Sequence, residues 1–291
     1  MAHGLGLDAV SGLCMRIAAR ALYGALALAT IAACGGHDGA GGSGTSISTP
    51  NDDAVWRPSV GTTWQWQLAG VPLDTSVNAD AYDVDLFTTT DQELSTLKAA
   101  GRRVICYFSA GSWEAFRPDA AEFPAAVKGR PLDAPFQDEL WLDIRNADVR
   151  SLMQRRLDLA ASRGCDAVEP DNVDGYANDT GFDLTAADQL DYNRFIAAEA
   201  HKRGLSAGLK NNVDQLAELE PYFDWALNEE CFTYDECARY RDNFLAANKA
   251  VFHAEYVEPG RIADVCAVTD PLGLSTLVKK IELDAFRLPC P

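Results

Sequence analysis

The chain has 291 residues, 47% of them hydrophobic and 9% aromatic, enough for one large core, which excludes a disordered chain. Its formal net charge of −18 repels nucleic acid and anionic lipid surfaces, so neither is expected as a charge-driven partner. The same charge suits solubility outside a cell or, if concentrated in a cleft, attraction of a cationic substrate.

Residues 1–34 read as a signal peptide. Arg16 and Arg20 precede an apolar run from Ala21 to Ala33, which is too short to cross a bilayer as a mature helix. The run ends in Ile31-Ala32-Ala33-Cys34, which resembles a bacterial lipobox and marks Cys34 for lipidation; Met15, directly before the charged region, is an alternative start. Residues 35–52, rich in Gly, Ser and Thr, read as a flexible tether. The expected localisation is a membrane-anchored lipoprotein at the periplasm or cell surface, touching the membrane through its anchor only.

The domain is expected over residues 53–291. Thr63–Leu68 alternates as a strand, and Tyr82–Phe87 is a second. Thr90 and Glu93 have capping-box spacing before Leu94, Leu97 and Ala100, with Gly101 as the stop, so a helix follows. Arg103–Phe108 is the third strand. A Pro- and Ala-rich excursion from Arg117 to Leu140 is too irregular for a simple connection and is expected to shape a site. Trp141–Ile144 is a short extended piece, and Val149, Leu152, Met153 and Leu157 form a helical stripe ending at Gly164.

The fourth strand leads into Val168-Glu169-Pro170-Asp171-Asn172-Val173-Asp174-Gly175-Tyr176, where Pro170 ends ladder pairing and acidic and amide groups crowd the carboxyl end. A helix over Thr185–Arg203 precedes the fifth strand, Leu205–Leu209, with Lys210-Asn211-Asn212 at its end. Trp225–Glu230, Ala250–Tyr256 and Ile262–Val268 complete a count of eight. Eight strands with helical or long connections predict an α/β fold, a single-domain (β/α)8 TIM barrel with long βα loops, monomeric, with its chemistry at the carboxyl-terminal strand ends.

Those strand ends supply Asp85, Tyr107, Ser109, Glu114, Glu169, Asp171, Asn172, Lys210, Asn211, Glu229 and Glu255. Paired carboxylates are what glycosidic cleavage needs, one protonating the leaving oxygen and the other attacking the anomeric carbon or activating water. Trp66, Tyr107, Trp113, Trp141 and Tyr176 are candidate stacking platforms, although Trp66 reads equally as core. Asp143 is either a contact residue or a helix cap, and Lys210 either touches ligand or tunes a neighbouring carboxylate. No GxSxG, P-loop or zinc-spaced Cys/His cluster occurs, and the chain has four His, so neither a cofactor nor a metal is expected. Beyond Cys14 and Cys34, six cysteines remain. Cys231 with Cys237 and Cys266 with Cys290 are the expected bridges, while Cys106 and Cys165 either bond or are simply buried.

The runs VICYFSAGSWEAFRPD, ELWLDIRN, GCDAVEPDNVDGYANDTGFDLT, LSAGLKNN and ALNEECFTYDEC resemble glycoside hydrolase family 114, the endo-α-1,4-polygalactosaminidase family with a (β/α)8 barrel. The resemblance covers roughly residues 60–260. It implies that Asp171 and Glu229 are the two catalytic acids, with Glu229 rather than Glu230 facing the site, and that Glu169, Asn172, Asp174 and Tyr176 are supporting or sugar contacts. It further implies a cationic, galactosamine-containing polysaccharide as substrate. A barrel that binds amino sugars without cutting them is the alternative, and the segment from Ile262 to Pro291 is expected to be a closing segment.

Overall fold

The computed structural model describes residues 55–70 and 72–291; the expected signal segment, Cys34 and the tether lie outside the described residues. The strands are β1 (Trp64–Gln67), β2 (Ala81–Asp85), β3 (Arg103–Ser109), β4 (Ser112–Glu114), β5 (Lys128–Pro131), β6 (Glu139–Leu142), β7 (Ala167–Asp171), β8 (Ser206–Lys210), β9 (Trp225–Glu229), β10 (Val251–Glu255), β11 (Ser275–Val278) and β12 (Leu288–Pro289). The α-helices are α1 (Asp91–Ala99), α2 (Ala147–Ser162), α3 (Ala186–Lys202), α4 (Leu216–Leu219) and α5 (Ile262–Thr269). Thr90 and Glu93 cap α1 reciprocally, as their spacing predicts, and Thr185 and Asp188 do the same for α3.

Among the described residues, eight parallel strands pair in the order β1-β2-β3-β7-β8-β9-β10-β11, with β12 antiparallel on β11. This is the (β/α)8 class. One face of the curled sheet packs on the helices. The other encloses Trp64, Trp66, Ile105, Trp225, Leu227 and Phe252, which fill the barrel interior. Gly208 makes this filling possible, because a Cβ there would lie 2.4 Å from the Trp225 ring.

The expected eighth strand at Ile262–Val268 is instead α5, and the eighth parallel strand is β11. Val265, Cys266 and Thr269 are buried while Ala267 and Val268 are exposed, a helical rather than alternating pattern. The left-handed Gly273 (φ 87°) then turns the chain into β11.

The tail after β11 closes the barrel. The backbone N–H groups of Leu68 and Ala69 donate to Leu283 O (3.0 and 3.2 Å), Gln65 Nε2 donates to Ala285 O (3.2 Å), and Arg287 Nη2 donates to Trp64 O (3.1 Å). The strand β1 is thus tied to the tail, and Trp64 Nε1 also donates to Ser275 O of β11 at 2.8 Å. The Cys266–Cys290 bridge pins the tail to α5, Cys231–Cys237 closes the loop after β9, and Cys106–Cys165, open on the sequence, is also bonded.

The excursion between β3 and α2 folds into a small antiparallel sheet in the order β4-β6-β5, so the short extended piece expected at Trp141–Ile144 is the end of β6. This sheet stands beside the carboxyl ends of β3 and β7, where Leu142 N donates to Gly111 O (2.9 Å).

Candidate active site

Along β7, Ala167, Glu169 and Asp171 alternate into the barrel while Val168 packs outward, so two carboxylates share the interior face. The backbone then turns sharply at the mouth: Asn172, Asn211 and Asn212 have φ of 60°, 46° and 48°, a region asparagine tolerates better than most residues. Gly111 permits the turn at Asn172, since a Cβ would come within 1.8 Å of Asn172 O. The Asp171 carbonyl accepts the N–H groups of Ala110 (2.9 Å) and Gly111 (3.1 Å), which locks the strand end.

Lys210, on the neighbouring β8, is buried and reaches three carboxylates: Nζ lies 2.7 Å from Glu169 Oε1, 3.1 Å from Asp171 Oδ1 and 3.2 Å from Glu229 Oε2. It also sits 4.8 Å from the Trp66 ring centroid. Burial works to lower the Lys210 pKa, but the charges of Asp171, Glu169 and Glu229 outweigh it and hold the ammonium well above its ordinary value.

Asp171 further accepts from Tyr107 Oη (3.1 Å to Oδ2) and from Asn172 N–H (2.8 Å to Oδ1). Glu229 accepts from Tyr256 Oη and from Asn211 Nδ2 (3.3 Å), while its own N–H donates to Asn211 Oδ1 (2.8 Å). Burial first, and then the charges of Asp171 on Tyr107 and Glu229 on Tyr256, push both phenols well above their ordinary range, so each stays a proton donor. Glu230 follows Glu229 in the left-handed region (φ 63°), and Glu229 is the member of the pair held by Lys210.

Beneath this set lies Asp83 of β2, wholly buried and hydrogen-bonded to Glu169. Among the described residues, neither oxygen of Asp83 nor Oε2 of Glu169 meets an N–H or O–H donor from another group, so a proton held between the two carboxyls is what satisfies them. Burial, reinforced by the charge of Glu169, drives Asp83 well above the carboxylate range; burial also raises Glu169, to about 7.

A cavity of about 570 Å³ opens above these groups. Of the residues singled out on the sequence, Asp85, Tyr107, Trp141, Asp171, Asn172, Asp174, Lys210, Asn211 and Glu229 line it, as does Trp66. Others lie elsewhere. Glu169 is in the floor under Lys210. Ser109 is buried and bonds Ser112 Oγ (2.6 Å), and Glu114 is held by both nitrogens of a guanidinium fork, Arg117 Nε and Nη2 (2.7 Å each). Glu255 accepts from Thr233 Oγ1 (2.5 Å), Phe232 N–H (3.2 Å) and His253 Nε2 (3.0 Å), so it anchors the loop after β9. Asp143 pairs with Arg145 (2.8 Å), while the cap of α2 is Asn146, whose side chain accepts from Asp148 N–H. Tyr176 and Trp113 are outside the lining; Trp113 instead carries Lys128 Nζ 3.9 Å from its ring centroid.

Sequence reasoning missed Tyr256, Arg117, Glu139, Phe116, Phe136 and the tail residues Ile281–Leu283, all of which line the cavity. Tyr256 was legible as the residue just past the seventh strand. The tail residues carried no local signal, because their place depends on closure of the barrel.

A (β/α)8 barrel with two carboxylates facing one cavity at its carboxyl-terminal mouth has the architecture of a glycosidase. The chain belongs to glycoside hydrolase family 114, whose model matches residues 45–291, and it is a glycoside hydrolase. It is 42% identical to Aspergillus fumigatus Ega3, crystallised in complex with galactosamine, over 81% of this chain and 97% of that one, with a TM-score of 0.77. The glycoside hydrolase domain of PelA from Pseudomonas aeruginosa shares the fold at 15% identity, over 78% of this chain and 96% of that one, with a TM-score of 0.61. No curated protein matches the chain.

Proposed function

We propose that this glycoside hydrolase cuts α-1,4-linked, galactosamine-containing polysaccharide within the chain, by double displacement, with Asp171 as nucleophile and Glu229 as acid and base. The observation that carries the mechanism is the shared contact of Lys210 Nζ with Asp171 Oδ1 (3.1 Å) and Glu229 Oε2 (3.2 Å). Two oxygens 3.1 and 3.2 Å from one ammonium stand at most about 6.3 Å apart, short of the roughly 6.5–9.5 Å of inverting enzymes and compatible with the roughly 5–5.5 Å of retaining ones. Support for the substrate class comes from the similarity to Ega3, which binds galactosamine, and from the acidic surface.

In the first step Glu229 gives its proton to the leaving glycosidic oxygen, the C1–O bond breaks, and Asp171 Oδ bonds to C1. Negative charge leaves Asp171 and appears on Glu229. Lys210 touches both, so the charge keeps its partner as it crosses the site, with no reorganisation of the buried ammonium. In the second step the Glu229 carboxylate takes a proton from water, the water oxygen bonds to C1, and Asp171 leaves as a carboxylate. Tyr107 and Tyr256 donate to the two carboxylates throughout.

The test is release of short oligomers from partially deacetylated α-1,4-galactosaminogalactan. Asp171→Asn and Glu229→Gln should each lower release by about 10³-fold or more with unchanged circular dichroism. NMR of the first product should show the α anomer. Wild-type rates in the double variant would remove the two carboxylates from the chemistry, and a β-anomer product would remove double displacement.

The same reading has the enzyme exported, anchored through Cys34 by the expected lipobox and acting as a monomer beyond the tether. The three disulfides among the described residues suit an oxidising compartment. Labelled fatty acid should be incorporated by the wild type and not by Cys34→Ala.

A further inference from the structure

Glu139 of β6 lines the cavity, and its surroundings differ from those of the other acids there. Asp85 has a cation in Arg117 (2.6 Å), and Asp171 and Glu229 share one in Lys210. Glu139 is half-buried and receives a hydroxyl, Ser112 Oγ, at 2.6 Å; no Lys or Arg pairs with it among the described residues. Asp133 and Glu282 also line the cavity but are exposed, where water and salt weaken any attraction, and Asp174 already accepts from Asn178 Nδ2 (3.4 Å).

Hydrogen bonds connect Glu139 to the reacting end of the cavity. Ser112 Oγ lies 2.6 Å from Ser109 Oγ, and Asn172, the residue after Asp171, donates through Nδ2 to both serines (2.9 and 3.3 Å). The charged groups on the packed elements are mostly of one sign: Glu114 opposite on β4, with its Arg117; Asp138 beside it; and Asp171 on β7. On β5, Lys128 is over Trp113, and Arg130 is paired with Asp179. Burial first, and then the charges of Glu114, Asp171 and Asp138, push the Glu139 carboxyl up to about 7. A half-buried carboxyl among like charges, with no cation of its own, is relieved by a cation brought with the ligand.

We propose that Glu139 receives the C2 ammonium of the sugar whose anomeric carbon meets Asp171, and thereby selects free galactosamine over its N-acetyl form. This rests on the assignment of Asp171 above. Because C2 adjoins C1, an amine held on the Ser112–Asn172 side of the cavity leaves C1 facing Asp171. Ion pairing ionises the carboxyl, so binding of the amino sugar releases a proton at and below neutral pH. An N-acetyl group carries no charge, gains nothing from the carboxylate, and releases no proton.

The experiment compares wild type, Glu139→Gln and Glu139→Asp on a fully deacetylated and an N-acetylated α-1,4-galactosamine oligomer. Expected in Glu139→Gln is a fall of about 10- to 100-fold in kcat/KM on the deacetylated oligomer, carried by KM, with little change on the acetylated one. Glu139→Asp keeps the charge and should keep the selectivity. Wild-type KM for the free-amine substrate should rise as pH drops below about 7, where Glu139 is protonated and the amine still charged, and Glu139→Gln should lose that dependence. Titration of wild type with galactosamine in buffers of different ionisation enthalpy should show proton release. Unchanged selectivity and pH profile in Glu139→Gln would overturn the proposal alone; cleavage of neither oligomer by wild type would overturn the active-site reading and the proposal with it.

Discussion

Arg117 and Lys210 both lie buried at the mouth of the barrel among carboxylates, and they leave different amounts of charge unmatched. Arg117 forks onto Glu114 with two nitrogens and reaches Asp85 with a third, while Asp85 also accepts N–H groups from Phe87 (2.9 Å) and Thr88 (2.8 Å). Every acceptor in that cluster that the guanidinium faces is taken, and the two carboxylates hold a loop in place. Lys210 is one compact charge in contact with three carboxylates, over a fourth carboxyl, Asp83, that burial holds well above the carboxylate range. The saturated cluster is structural; the unsaturated one has room for a proton, a developing charge or an ammonium. On the proposed mechanism, charge balance, more than the presence of acids, separates support from chemistry.

Substitutions can break that contrast. The largest effect is expected for Lys210→Met, which strands three carboxylates: cleavage should fall by about 10³-fold or more, and stability by about 3–5 kcal/mol in chemical denaturation. Adding Glu169→Gln should recover much of the stability and none of the cleavage. Arg117→Met alone should also cost about 3–5 kcal/mol, but with Asp85→Asn and Glu114→Gln the loss should shrink to about 1–2 kcal/mol, with oligomer release within about tenfold of wild type. If the neutralised Arg117 cluster abolishes cleavage, the division between the two clusters fails.

A smaller effect is expected at Asp83. Asp83→Asn keeps a donor toward Glu169 and should change stability by about 1 kcal/mol or less, whereas Asp83→Leu, which removes it, should cost about 1–3 kcal/mol. Equal losses in both would show that Asp83 carries no proton. The smallest concerns Glu139. Its folded pKa, about 7, is above the ordinary glutamate value of 4.5, so its contribution to stability is present below about 4.5 and lost as pH rises through about 7. Glu139→Gln should therefore raise the thermal midpoint by a few degrees at pH 8 and hardly at pH 5.

Much of the barrel was legible because its signals are local. Short apolar runs between a capped helix and a turn identify strands, and the residues just past them identify the mouth, which is how Asp171, Lys210 and Glu229 came to one group. The eighth strand was misplaced for a related reason: Ile262–Val268 and the four-residue Ser275–Val278 are both short apolar runs, and periodicity does not separate a helix from a strand at that length. Glu255 shows the same limit in the site. It sits at a strand end like Glu229, yet turns to the loop at Phe232 and Thr233, while its neighbour Tyr256 takes the place beside Glu229.

By itself the sequence determined the fold class and the family, and it put Asp171 and Glu229 at strand ends that open into one cavity, since these rest on patterns within a few residues of one another. The tertiary structure alone decided which acids are neutralised. Lys210 is 41 positions from Glu169, Arg117 is 32 from Asp85, and the tail that closes the cavity returns to β1 across more than 200 residues. Ion pairing depends on distance in space, and no local pattern encodes which cation a carboxylate will meet once the barrel has closed.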